Sequence, residues 1–298
     1  MLAIDRQGTL FEPKNFAPIA GWVVLLFVLT LVGALPLLLL GLNLSQISRS
    51  GRFLPLVMTG MLVTACSPTL SALLVAGYYE KVEGVRSITR QIRIWRVSIL
   101  WYAIALIGPI ILFLAAEALQ SFWHRTSLTY WMTMPSFSGP GGLPFVIFGS
   151  LLAEEPGWRG FGQCRLQKSL GKWRTAIAIG LLWSTWHLWY VILPGGLSTL
   201  TTTDVLAAYI RLTSTAVVYA WMYNSTQGSL LIAMLAHLGH NLAANLMPTQ
   251  DGDRHHLVIA LLYLVAATMI VLLSDRLRTV SKLRFTRSDS HKVNHPAL

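Results

Sequence analysis

Residues 143–160 read LPFVIFGSLLAEEPGWRG, eleven uncharged residues running into two carboxylates, a proline and a guanidinium. Hydrocarbon tolerates ionisable groups poorly, so Glu154, Glu155 and Arg159 at membrane depth point to function rather than packing. Pro156 removes a backbone donor and biases Glu155 away from α geometry, and Gly157 adds freedom. A break in the helix is therefore expected just after the carboxylates, where it would admit water. Glu155 and Arg159 stand at i, i+4 if the turn persists, a spacing that lets Arg159 neutralise one carboxylate.

The rest of the chain supplies the membrane. Of 298 residues, 54% are hydrophobic and 12% charged, with a mean hydropathy of +0.57. Soluble domains carry about 25% charged residues, so the composition indicates an integral membrane protein. The net charge of +11 would suit nucleic acid, but the cations cluster in short loops between apolar runs and no nucleic-acid motif accompanies them. The expected neighbours are a lipid bilayer and a peptide or protein substrate within it, with no nucleic acid. Cys66 and Cys164 form no CxxC pattern, so neither a disulfide framework nor a thiolate metal site is expected. Asn15 to Ser48 is free of charge and longer than a signal peptide's apolar core of about 7–15 residues, which makes it a retained anchor.

Eight spans are expected: near 17–42, 53–79 and 97–119, a fourth from near Leu143 into the Glu pair, and then near 175–193, 205–223, 229–247 and 256–273. Pro36 should kink or end the first. Arg86, Arg90 and Arg93 fall on one face of an amphipathic interfacial helix within 80–96. Residues 120–142 are rich in turn formers and read as a loop. With the N-terminus inside, inside segments hold 18 Lys and Arg and outside loops 4, with Arg211 inside a span. That asymmetry expects both termini in the cytoplasm. The chain divides into three N-terminal spans (1–142), a catalytic membrane core (143–275) and a basic tail (276–298). The fold class is an all-α polytopic helix bundle, in the plasma membrane of a prokaryote.

Depth arithmetic brings further groups to Glu154. At about 1.5 Å per residue, Glu154 lies about 16 Å from the outer end of its span and His187 about 19 Å from the inner end of another. His237 and Asn241 lie about 12 and 18 Å into a third. In a core about 30 Å thick these groups can meet near the middle. His237, His240 and Asn241 project from one side of their helix, as do Trp183 and His187. Glu117, His124, His255, His256, His291 and His295 sit near span ends or in tails and read as solvated.

Two carboxylates side by side in low dielectric cannot both ionise easily, which prepares one as a general base for water. A His and an Asn on a facing helix suit a developing oxyanion. A Glu with two His could instead bind a divalent metal such as zinc, although no H-E-x-x-H occurs.

These residues resemble the CPBP intramembrane proteases, which include the type II CAAX prenyl endopeptidases and bacteriocin-processing relatives. The family's E-E-x-x-x-R is matched by Glu154, Glu155 and Arg159. Its F-x-x-x-H is matched at His187 with Trp183 in place of Phe, and its H-x-x-x-N by His237 and Asn241. The resemblance implies a helical membrane enzyme that cleaves peptide bonds. It implies Glu154 as the base activating water, assisted by His187. His237 and Asn241 would hold the oxyanion, and Glu155 with Arg159 would support Glu154. It implies no cofactor in a glutamate-type mechanism, with a divalent metal as the alternative. Trp183 is bulkier than Phe and is expected to narrow substrate access. The competing functions are a proton-coupled transporter or channel built on the same Glu and His residues, and a catalytically silent scaffold.

Overall fold

A charge-free apolar run can satisfy its backbone in lipid only as a helix, and that is how this chain folds. A computed structural model describes residues 3–4, 10–11, 16–42, 55–128, 142–196, 200–247 and 256–274. Apart from a two-residue antiparallel pairing of Ala3–Ile4 with Leu10–Phe11, the described residues fold as helices and their connections. The basic tail, most of the 120–142 loop and His255, His291 and His295 lie outside the described residues.

The chain opens with α1 (Ala17–Leu39), α2 (Pro55–Ile92) and α3 (Ile99–His124). A segmented stretch follows: α4 (Leu143–Phe148), π-helical turns at Gly149–Ala153 and Pro156–Gln163, and α5 (Cys164–Leu170). Then come α6 (Lys172–Trp186) with a 3₁₀ extension His187–Ile192, α7 (Thr202–Ser225), α8 (Leu230–Leu246) and α9 (His256–Ser274).

Among the described residues, six helical stretches are long and apolar enough to cross a membrane: α1, α2, α3, α6 with its extension, α7 and α9. The two other expected spans take different forms. The fourth is interrupted by Pro156 and four glycines between 149 and 162, so no single helix runs through it. The seventh, α8, has 17 residues, about 25 Å at 1.5 Å per residue, which is short of a 30 Å core. The expected interfacial helix is a redirected end of α2. Lys81 takes φ 56° and ψ −145°, and the segment beyond it folds back so that Gly84 packs on the backbone of Ala76. Arg86 and Arg90 on its open face both pair with Glu83.

Helix pairing sets the frame. On α1 the buried residues Trp22, Leu26, Thr30, Gly33 and Leu37 form one stripe facing α2, while Val24, Leu31, Val32 and Leu39 are exposed. A Cβ on Gly33 would lie 2.6 Å from the Gly60 carbonyl, and one on Gly60 would lie 2.4 Å from that of Gly33. The absence of side chains at these two positions permits the crossing, as small residues do between membrane helices. Hydroxyls lock it: Thr30 Oγ1 bonds Ser67 Oγ at 2.8 Å, and the Trp186 indole donates to both at 2.9 and 3.0 Å. The outward faces of α1, α3 and α9 carry exposed Leu, Val, Ile and Met, while Glu155 and Arg159 are fully buried. This distribution is that of an integral membrane protein, apolar towards lipid and polar within.

Candidate active site

The carboxylates sit at the junction of the two π-helical turns. The expected break after Glu155 is instead a distortion centred on Glu154, whose φ of −117° separates the first π turn from the second. Pro156 has no N–H to continue the ladder, and the Glu154 carbonyl accepts from Gly157 and Trp158 at 2.9 and 3.0 Å. Wide π turns of this kind recur at functional sites because they re-aim side chains without ending the helix. Gly157 lets the second turn press against α2: a Cβ there would lie 2.2 Å from the Pro68 carbonyl oxygen.

Each carboxylate is held by different partners. Glu155 is fully buried, and its Oε1 accepts from Arg159 Nη1 at 3.1 Å and from His237 Nδ1 at 3.0 Å. The Arg159 guanidinium lies between the rings of Trp183 and Tyr219, 5.2 and 5.0 Å from their centroids, where cation–π attraction adds to the ion pair. Glu154 keeps 12% of its side-chain surface exposed. Its Oε2 accepts from the indoles of Trp183 at 2.7 Å and Trp158 at 3.2 Å. Its Oε1 is left facing His237 Nε2 at 4.0 Å. His237 thus stands between the two carboxylates, its ring flanked by Trp183 and Tyr219.

Hydrogen bonds fix both imidazoles. A carboxylate and a carbonyl can only accept, so His237 Nδ1 donates to Glu155 and His187 Nδ1 donates to the Trp183 carbonyl at 2.9 Å. In the neutral rings this leaves Nε2 as the lone-pair nitrogen. His187 opens the 3₁₀ extension of α6 and packs on the rings of Trp183 and Trp186. The single Trp183 ring therefore separates His187 from His237, with centroid distances of 5.5 and 5.4 Å. Asn241, one turn beyond His237, donates through Nδ2 to Ser150 Oγ at 2.9 Å on the first π turn.

Some residues stand apart. His240 is turned away, bonding the Tyr263 hydroxyl at 2.8 Å and packing on Phe113. Glu117 is fully buried in α3, contrary to its expected solvation, because α3 continues to His124 and packs against α8. His256 lines a cavity beside Arg211. Cys66 and Cys164 are free. Trp158 and the hydrogen-bonding use of Trp183 were missed by the sequence reading. The signal was present, since Trp158 lies at i+4 from Glu154 and an indole brings a donor that Phe lacks.

For the alternative metal reading, the atoms left open are Glu154 Oε1 and the Nε2 atoms of His187 and His237. Glu155 and His237 Nδ1 are committed to each other and to Arg159, and Glu154 Oε2 to two indoles. Among the described residues, no three His, Cys, Asp or Glu side chains group so as to hold a metal ion.

Comparison with known proteins adds an independent finding. A search of curated proteins finds no match to the chain. Residues 137–243, about a third of the chain, match the family model for type II CAAX prenyl endopeptidase Rce1-like proteins. The matched segment runs from before α4 into α8 and includes Glu154, Glu155, Arg159, His187, His237 and Asn241. Over that segment the chain is similar to the Rce1-like type II CAAX prenyl endopeptidases that the family model describes.

Proposed function

We propose that the protein is an intramembrane endopeptidase in which Glu154 activates water to cleave a peptide bond of a membrane-associated substrate. The observation that carries this reading is the asymmetry of Glu154. Two indoles hold Oε2, and Oε1 faces an imidazole across a gap of 4.0 Å. A carboxylate anchored through one oxygen and open at the other is suited to take a proton from water.

The steps follow from this chain's own groups. Glu154 Oε1 removes a proton from water, and the resulting hydroxide adds to the scissile carbonyl. The oxyanion that forms accepts from the second amide hydrogen of Asn241 and from His237 as imidazolium, because only the charged ring donates from Nε2 while Nδ1 is bound to Glu155. Protonated Glu154 returns its proton to the leaving amine as the C–N bond breaks, so base and acid are one residue. His187, with Nε2 unbound, assists proton movement. Glu155 and Arg159 hold His237 in register, and the role requires no metal. The topology suited to this reading crosses the membrane eight times counting the segmented stretch and α8, with the basic loops and both termini in the cytoplasm of a prokaryote.

Purified protein in lipid discs, offered prenylated and unprenylated peptides, tests the reading. Wild type is expected to yield a new peptide terminus by mass spectrometry, and Glu154→Ala, His187→Ala and His237→Ala to lose cleavage. If all three variants cleave like wild type, the hydrolytic assignment of these residues is wrong.

A further inference from the structure

Beside the carboxylate cluster, a second charged group lies at membrane depth with no partner among the described residues. Arg211 stands nine residues into α7, about 14 Å from its start. It makes no hydrogen bond or ion pair with any described residue. It keeps part of its surface open and lines a cavity of about 350 Å³. Asp204, Ala208 and Arg211 follow at i, i+4 and i+7, so one face of α7 forms a wall, with Leu188, Tyr190 and His256 opposite.

The cavity adjoins the candidate active site. Leu188, in its lining, directly follows His187. The nearest acid on the same wall is engaged elsewhere. Asp204 Oδ2 accepts from Thr201 N at 3.1 Å and Thr201 Oγ1 at 2.8 Å, closing the capping box that starts α7. It lies two turns from Arg211, about 10 Å along the axis. A guanidinium at this depth is costly to leave unpaired, and since no described residue pairs with it the cavity it lines is suited to an anionic ligand. The cavity volume falls within the range of about 300–1,000 Å³ typical of ligand pockets.

We propose that Arg211 binds the free carboxylate at the C-terminus of the peptide substrate and so determines which peptides the site accepts. This rests on the peptidase reading above. A guanidinium presents two parallel N–H donors that match a carboxylate edge, and a hydrogen bond to a charged group contributes enough to discriminate about tenfold or more. The chain leading from that carboxylate past Leu188 would bring the preceding peptide bonds to His187 and Glu154. Tyr190, also in the cavity lining, brings a hydroxyl that can donate as well.

The test uses one peptide in two forms, with a C-terminal carboxylate and with a C-terminal amide. Binding to full-length Glu154→Gln protein in phosphatidylcholine discs is read by fluorescence anisotropy, and cleavage by wild type is followed in parallel. The acid form is expected to bind at least about tenfold more tightly than the amide. Arg211→Gln in the same background is expected to bring the ratio to about one, and Arg211→Lys to leave an intermediate ratio. Equal binding of acid and amide by the Arg211-containing protein overturns the proposal, whether the cavity then takes a lipid phosphate or nothing. A preserved acid preference in folded Arg211→Gln overturns it as well. Acid preference without cleavage by wild type would leave the carboxylate subsite standing and contradict the peptidase reading instead.

Discussion

Trp183 is where this chain departs from the pattern it resembles, and the departure has a chemical consequence. A Phe at this position would fill the same space between His187 and His237 but donate nothing, whereas the indole places an N–H 2.7 Å from Glu154 Oε2. Trp183→Phe is expected to lower kcat roughly tenfold to a hundredfold, the scale of one hydrogen bond to a charged group, with KM changed much less. Steady-state cleavage kinetics separate the two parameters, and a change confined to KM would assign the ring to substrate access instead. Arg159 supports a different prediction. Its guanidinium is fully buried against Glu155, so Arg159→Met leaves a carboxylate without its counter-ion and is expected to destabilise the fold by about 3–5 kcal/mol. Thermal unfolding in detergent reads this directly, and an unchanged midpoint would show that His237 alone compensates Glu155.

At the scale of elements, the π-helical turns around Glu154 depend on close approach to α2. Gly157→Ala places a methyl group 2.2 Å from the Pro68 carbonyl. Overpacking of this kind costs about 1–3 kcal/mol, and it should also move Glu154. Lowered thermal stability together with lowered activity is the expected result, while an active variant of wild-type stability would mean the contact relaxes freely. The meeting of Glu154, Glu155, Arg159 and His237 and a Pro-induced irregularity were legible in the sequence, because each rests on residue type and spacing. The π geometry was not, since Pro156 announces that a hydrogen bond is lost without saying how the ladder adapts. The turn at Lys81 was hidden too: no Gly or Pro marks it, and tertiary contact of Gly84 with α2 selects it. Glu117 read as solvated because a span boundary was placed beside it, yet α3 extends past it and buries it. The pairing of His240 with Tyr263 joins α8 to α9 and is a tertiary choice that helical spacing alone does not reveal.

For the whole molecule, an apolar exterior around a polar interior makes sense only in a bilayer. Among the described residues six helices meet the length and hydropathy needed to cross it, and the segment bearing the carboxylates is braced among them rather than spanning as one helix. The arrangement explains how water-using chemistry can sit at membrane depth: the irregular backbone is enclosed by protein, where neighbouring helices satisfy it. The topology proposed for the chain expects reporter fusions at residue 1 and residue 298 to behave as cytoplasmic; a periplasmic signal from one end alone would require an odd span count, and from both ends the opposite orientation. Chelation also bears on the whole account, since exhaustive treatment with a divalent-metal chelator is expected to leave cleavage unchanged, and loss restored by zinc would return the metal reading. The most direct test of the central claim is Glu154→Gln, which keeps the shape of the side chain and removes its basicity. In lipid discs, with folding verified by an unchanged thermal midpoint, this variant is expected to cleave at least about a hundredfold more slowly than wild type, the contribution typical of a general base. A folded Glu154→Gln protein that cleaves at the wild-type rate would contradict the account.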